Sequence, residues 1–321
     1  MSQILRELLN AETLDANGIT LNELAKISGI SNTYFNYLKA GKIQKPGRDK
    51  IISIAIGLNY SLEEIDKLLR HNDYKEVSDR DFDIFLASAK NRDITGFQPL
   101  YENINYPMFL LALDNLPGNK FVVNKKPSGT LESPEYIAYR DKMRSRGNTN
   151  PIYGGLKRAI HLERKRLLDK LLEKNEVHYL VCNECLKSYL GRSKNSIEEK
   201  QFIKEHLEEL IKYLDHPNYY FNIIEQCPRL RFIMKILPNS NSRDRKNKLI
   251  YTGYGEHRHI TEKRDEKNLR DRLFGMATDS SKFLEHFRNE YQELEKNFIK
   301  HDYSNPKKMQ NYIKKLISGL I

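Results

Sequence analysis

Residues 20–46 read TLNELAKISGISNTYFNYLKAGKIQKP. Thr20 is a good N-cap, and a helix from Leu21 to about Ser28 follows it with Leu24, Ala25 and Ile27 on one apolar face. Gly29 tolerates positive φ, so the chain can turn sharply there. Ile30 plugs the core after the turn. Ser31 caps a second helix, Asn32 to Ala40, from which Phe35 and Leu38 point inward at i and i+3. Asn32, Thr33, Asn36, Tyr37 and Lys39 are left on its outer face, and Gly41 stops it.

Charge then accumulates. Lys39, Lys42, Lys45, Arg48 and Lys50 face a single acid, Asp49, between residues 31 and 50. A second helix held proud of the surface by a short turn fits the major groove of DNA. Asparagine amides there pair bidentately with adenine, and Tyr, Thr and Lys reach base edges or phosphates. The basic turn that follows grips the flanking backbone, where each neutralised phosphate releases counterions.

This stretch resembles the lambda-repressor-like helix-turn-helix proteins, the XRE family of bacterial and phage regulators. The matching residues are Leu24-Ala25, then Gly29-Ile30-Ser31, then Phe35, Leu38, Gly41 and Lys42. Ile52, Ile54-Ala55, Leu58 and the SLEEI at 61–65 resemble that family's fourth and fifth helices. The resemblance covers about the first 70 residues and nothing later. It implies base-reading positions at Asn32, Thr33, Asn36 and Tyr37. Leu21 stands where many members carry Gln, and Lys39 replaces the acid common before the closing glycine. The candidate DNA-contacting set is Thr20, Ser31, Asn32, Thr33, Tyr34, Asn36, Tyr37, Lys39, Lys42, Lys45 and Arg48. Tyr34 and Tyr37 suit core packing as well as DNA contact, since tyrosine is amphipathic.

The whole chain agrees with a polyanionic partner. Its 321 residues carry 54 Lys and Arg against 43 Asp and Glu, a net charge of +11. Apolar residues make up 39%, too many for a disordered chain, yet no run approaches the ~20 apolar residues of a membrane span. The first ten residues lack the apolar core of a secretory signal, and three cysteines do not make a disulfide framework. A reduced, cytoplasmic setting is the expectation, with no membrane partner.

Three segments are expected. Residues 1–72 form an all-α helix-turn-helix domain, 73–150 a helical extension and linker, and 151–321 a larger α/β (or α+β) domain for effector sensing or oligomerisation. Turn signals crowd 115–151, around a short strand candidate at Phe121-Val122-Val123. Beyond them, Leu156–Leu172 reads as a helix, VHYLVC (177–182) as a strand, and Ser196–Glu199 as a capping box opening a helix to Leu214. Leu230–Leu237 and Leu249–Thr252 read as strands, and a last long helix starts near Ser280. This order vaguely resembles the phospholipase-D-like sensor domains of some helix-turn-helix regulators. The H-x-K-x(4)-D signature of that fold is absent, so the resemblance implies a non-enzymatic version.

Weaker constellations remain. Cys182-Asn-Glu-Cys185 is half a zinc site, a redox dithiol, or a strand end filled by small apolar thiols. His178, His206, His216 and Cys227 are the candidates to complete a metal set, but no second knuckle spacing exists, and no metal or other cofactor is assigned. After the LIYT strand, Tyr254, Glu256, His257 and Arg258 form a candidate ligand loop, with His257 and His259 as the alternative metal or acid–base pair. Basic runs at 157–170 and 243–248 are solvated faces or extensions of a DNA footprint. No nucleophile elbow, Walker loop, H-E-x-x-H or G-x-G-x-x-G occurs. The reading is therefore a non-enzymatic transcriptional regulator that binds double-stranded DNA as a homodimer, with a small-molecule or protein effector at its C-terminal domain. A DNA-targeted nuclease or nucleotide-modifying enzyme and a protein-interaction module are the alternatives.

Overall fold

Capping chemistry fixes the N-terminal helices: α1 (Ala11–Ala16), α2 (Leu21–Ser28), α3 (Asn32–Lys39), α4 (Arg48–Gly57) and α5 (Leu62–His71). Glu23 Oε2 accepts from the Thr20 backbone N–H at 2.8 Å, and the Glu23 N–H returns to Thr20 Oγ1 at 3.2 Å. Ser61 and Glu64 repeat this box at the start of α5. Gly29 takes φ +64°, where a side chain would be strained, and lets the Ile30 N–H reach the Ala25 carbonyl at 3.1 Å. Ser31 Oγ accepts from the Tyr34 N–H at 3.2 Å and opens α3. This computed structural model describes residues 7–16, 19–101, 104–145, 151–191, 196–228, 230–238, 246–253, 273–301 and 305–320.

The rest is mixed α/β. Among the described residues, α6 (Phe82–Asn91), β1 (Phe97–Tyr101), α7 (Asn105–Asn115), β2 (Asn119–Asn124), α8 (Pro134–Ser145) and α9 (Pro151–Leu172) come next. They are followed by β3 (Val177–Cys182), α10 (Asn183–Leu190), α11 (Ile197–Leu214), β4 (Tyr219–Ile224), β5 (Leu230–Ile236) and β6 (Lys248–Gly253). The chain closes with β7 (Leu273–Thr278), α12 (Ser281–Phe298), β8 (Ile299–His301) and α13 (Pro306–Ser318). The stretch 73–150, expected as helical extension and linker, thus also supplies two strands, and β2 sits inside the sheet.

Among the described residues, eight strands form one sheet in the order β1-β7-β6-β5-β2-β3-β4-β8. β2–β3 and β3–β4 pair in parallel, and every other neighbour is antiparallel. Alternation along the central strands sends side chains to both faces. Val122, Tyr179, Val181 and Phe221 meet α9, α11 and α13 on one face. Val123, Leu180, Phe232 and Met234 meet Leu284, Phe287, Tyr291 and Leu294 of α12 on the other. At the β1 end, α7 lays Phe109, Leu110 and Leu113 against Leu100, Ile250 and Ala277.

The N-terminal helices are built onto this body. One apolar cluster runs from Leu9 through Leu24, Phe35, Leu38, Ile52 and Leu69 into Phe85, Met108, Leu111, Leu156 and Ile160. Arg92 is buried between the two parts. Its guanidinium donates to the Ile56 carbonyl at 2.8 Å and to Asn59 Oδ1, and it lies 4.5 Å from the centre of the Phe109 ring. Burial lowers its pKa to about 10, so it stays charged at neutral pH. Thr95 Oγ1 donates to Glu23 Oε1 at 2.7 Å, and Asp93 accepts from Lys26 of α2 at 3.4 Å and from Lys248 of β6 at 3.0 Å. No helix of the described residues is long and apolar enough to cross a membrane.

Candidate nucleic-acid interface

Two residues of α3, Phe35 and Leu38, are completely buried, which fixes which way the helix faces. Asn32, Thr33, Asn36, Tyr37 and Lys39 are all exposed, and α3 carries no carboxylate. Tyr37 is 47% exposed, high for so large a ring. Lys42 Nζ lies 5.2 Å from the centre of that ring, so aromatic and cation form one exposed unit. Lys45 and Lys50 are also exposed beyond the turn. Lys45 is steadied over Tyr74 at 5.1 Å, and the Tyr74 hydroxyl donates to the Pro46 carbonyl at 3.0 Å.

The other candidates are placed differently. Thr20 and Ser31 spend their hydroxyls on the caps already described. Tyr34 packs half-buried against the core, and that burial raises its phenol pKa. Arg48 is a strut. Its guanidinium bonds both carboxylate oxygens of Asp81 and donates to the carbonyls of Lys75 at 3.1 Å and Glu76 at 2.7 Å. The Asp81 bond raises the Arg48 pKa further, and Asp81, which burial alone would push up, is held below the usual carboxylate range.

Sequence reading missed Asn22. Its Oδ1 accepts from Asn32 Nδ2 at 2.9 Å, so the first asparagine of α3 is oriented by α2. The only signal for this is an exposed polar residue in the first turn of the preceding helix. Asn36 has no such tether among the described residues, so its amide edge stays available to a ligand.

Four of the six cations in the run at 157–170 are paired within the fold. Lys157 pairs with Asp141 at 2.6 Å, Arg164 with Asp114 at 2.7 Å, Lys165 with Glu209 at 2.5 Å and Arg166 with Glu163 at 2.7 Å. The loop candidates Tyr254, Glu256, His257 and Arg258, together with His259 and residues 243–245 of the second basic run, lie outside the described residues, while Lys248 of that run is buried and pairs with Asp93. The open cations of the described structure that flank α3 are therefore Lys39, Lys42, Lys45 and Lys50.

Chemically, the α3 surface offers amide donors and acceptors, a hydroxyl, a phenol and flanking ammonium groups. It carries no paired acid and base and no activated nucleophile. No family model, curated protein or solved structure matches the chain.

Proposed function

We propose that the chain is a sequence-specific DNA-binding transcriptional regulator of the helix-turn-helix type, with α3 as the recognition helix. The observation that carries this reading is the exposed polar face of α3, bordered by lysines and backed by the fully buried Phe35 and Leu38. In this reading Asn36 and Asn32 contact base edges, Tyr37 packs beside them, and Lys39, Lys42 and Lys45 hold phosphates. Arg48 holds the scaffold and touches no DNA. One helix of eight residues reads few base pairs. A homodimer on an inverted repeat, with half-sites about 34 Å apart, supplies the rest of the specificity. The C-terminal α/β region senses an effector or joins the two copies. The apolar cluster shared with α3 and α4 supports that role, because movement in α6, α7 or α9 bears on the helices that carry the interface.

Two substitutions separate the roles. Asn36→Ala weakens binding to the preferred duplex by about 1–3 kcal/mol and leaves binding to random duplex unchanged. Lys42→Ala weakens binding to every sequence and reduces the slope of log K against log salt by about 1. Fluorescence anisotropy titrations with both duplexes at several salt concentrations measure both effects. Equal losses on preferred and random DNA for Asn36→Ala would overturn the assignment. Absence of any salt-dependent DNA affinity in the parent protein would favour a protein-binding module instead.

A further inference from the structure

The chain has three cysteines, and the fold brings all of them to one place. Cys182 is the last residue of β3 and the N-cap of α10, and Cys185 lies in the first turn of that helix. Cys227 follows β4, whose last residue, Ile224, pairs with Cys182 in the parallel register of the two strands. The three sulfurs lie within 4.8 Å of one another, and the Cys185 and Cys227 sulfurs are 3.6 Å apart. No disulfide joins them. A disulfide needs about 2.05 Å between sulfurs. Tetrahedral ligation at about 2.3 Å per thiolate separates the sulfurs by about 3.8 Å.

We infer that Cys182, Cys185 and Cys227 form a three-thiolate site for a single thiophilic divalent cation, with Zn²⁺ the fitting ion. Two observations beyond the sulfur spacing support it. The site lies past the carboxyl ends of adjacent parallel strands, where α/β sheets place their ligands. The start of α10 also directs its backbone N–H groups toward this point, and the Cys185 N–H already donates to Cys182 Sγ at 3.5 Å. Thiolates around one ion sit closer together than thiolates that span the corners of an iron–sulfur cluster, which favours a mononuclear site.

The histidines that sequence reading offered as partners are engaged elsewhere. His206 donates from Nε2 to the Ser128 carbonyl at 2.9 Å and accepts at Nδ1 from the Tyr189 hydroxyl at 2.8 Å. His178 Nε2 lies 2.9 Å from Glu176, with its ring stacked on Phe121, and His216 Nδ1 accepts from the Asn218 N–H at 3.2 Å. Cys182 and Cys185 are buried, whereas Cys227 is partly exposed and opens the site on one side. Among the described residues no fourth His or carboxylate joins the three sulfurs, so water or a further donor completes the shell. On binding, each thiol releases its proton and the cation accepts three sulfur lone pairs, leaving a complex of net charge −1.

The test uses the full-length protein, purified under reducing conditions, then treated with chelator and desalted. Titration with Co²⁺ is expected to give a sulfur-to-cobalt charge-transfer band and the intense visible bands of a tetrahedral site, saturating at one equivalent. Competition by Zn²⁺ should bleach them. Cys227→Ser, at the least buried position, is expected to keep the fold by circular dichroism and to weaken Zn²⁺ affinity at least about 100-fold. A variant with all three cysteines changed to Ala, checked in the same way, serves as the blank. Zn²⁺ affinity equal in parent and blank, or no charge-transfer band in the parent, overturns the inference. So would recovery of a Cys185–Cys227 disulfide as the stable state under reducing conditions. The outcome is independent of whether α3 binds DNA.

Discussion

Asp114→Ala is expected to lower the stability of the protein by about 3–5 kcal/mol, the usual result of removing one partner from a buried ionic cluster. Asp114, near the end of α7, is about 5% exposed. Its oxygens accept from Lys120 Nζ of β2 at 2.6 Å and Arg164 Nε of α9 at 2.7 Å. Burial by itself would raise the Asp114 pKa, but these two cations hold it at about 2. Lys235 of β5 stands near the same cluster and donates to the Leu116 and Gly118 carbonyls at 3.0 and 3.3 Å. Burial, reinforced by the charge on Lys120, lowers its pKa to about 7. Without Asp114, Lys120 and Arg164 are left buried without their counter-charge, at the junction of two helices and the centre of the sheet. Urea unfolding at pH 7 measures the loss. A change below about 1 kcal/mol would show that water reaches this cluster in solution.

The second large effect is on acid stability. His161 donates to the Glu132 carbonyl at 2.7 Å, and His206 is held between Ser128 and Tyr189, both rings almost fully buried. Burial is the main cause that lowers each pKa from 6.5 to about 4. Between those values the unfolded chain binds protons that the folded chain refuses, so stability is full above about pH 6.5 and falls as the pH drops toward 4. Each histidine contributes on the order of 3 kcal/mol to that fall. Glu132 extends the decline. Burial alone would raise its pKa, but Lys126 and Arg140 hold it at about 2, so its share is present above about pH 4.5 and lost as the pH falls through 2. Unfolding midpoints at pH 7, 5.5 and 4.5 should drop steadily, and His161→Gln should reduce the slope. A flat profile between pH 7 and 4.5 would contradict the buried, neutral state of both rings.

What could be read from the sequence was local. The caps at Thr20, Ser31 and Ser196 and the positive-φ turn at Gly29 depend on residues within one turn of each other. The strand VHYLVC was legible as a short apolar run rich in β-formers, and the helices at 156–172 and 197–214 because a helical period runs through each. Other elements gave weaker signals. β1 carries Pro99 at the sheet edge, where a missing N–H is tolerated, so its sequence argues against a strand. β7 is interrupted by Gly275, where a Cβ would run into the Tyr251 carbonyl. Long-range facts were out of reach. The ion pairs made from 157–170 join residues up to 50 apart, and Cys227 reaches Cys185 from 42 residues away through the β3–β4 register. Arg48 reads as an open cation in sequence because its partner, Asp81, lies 33 residues further on.

The central claim concerns the outward face of α3, and selection of duplexes from a random-sequence library tests it most directly. Full-length protein and a variant with Asn32, Asn36 and Tyr37 changed to Ala are taken through identical rounds of selection and sequencing. The parent is expected to enrich one recurring motif with two inverted half-sites about one helical turn apart, while the variant keeps only weak, salt-sensitive binding without a motif. No enrichment by the parent, or the same motif from both proteins, would contradict the claim.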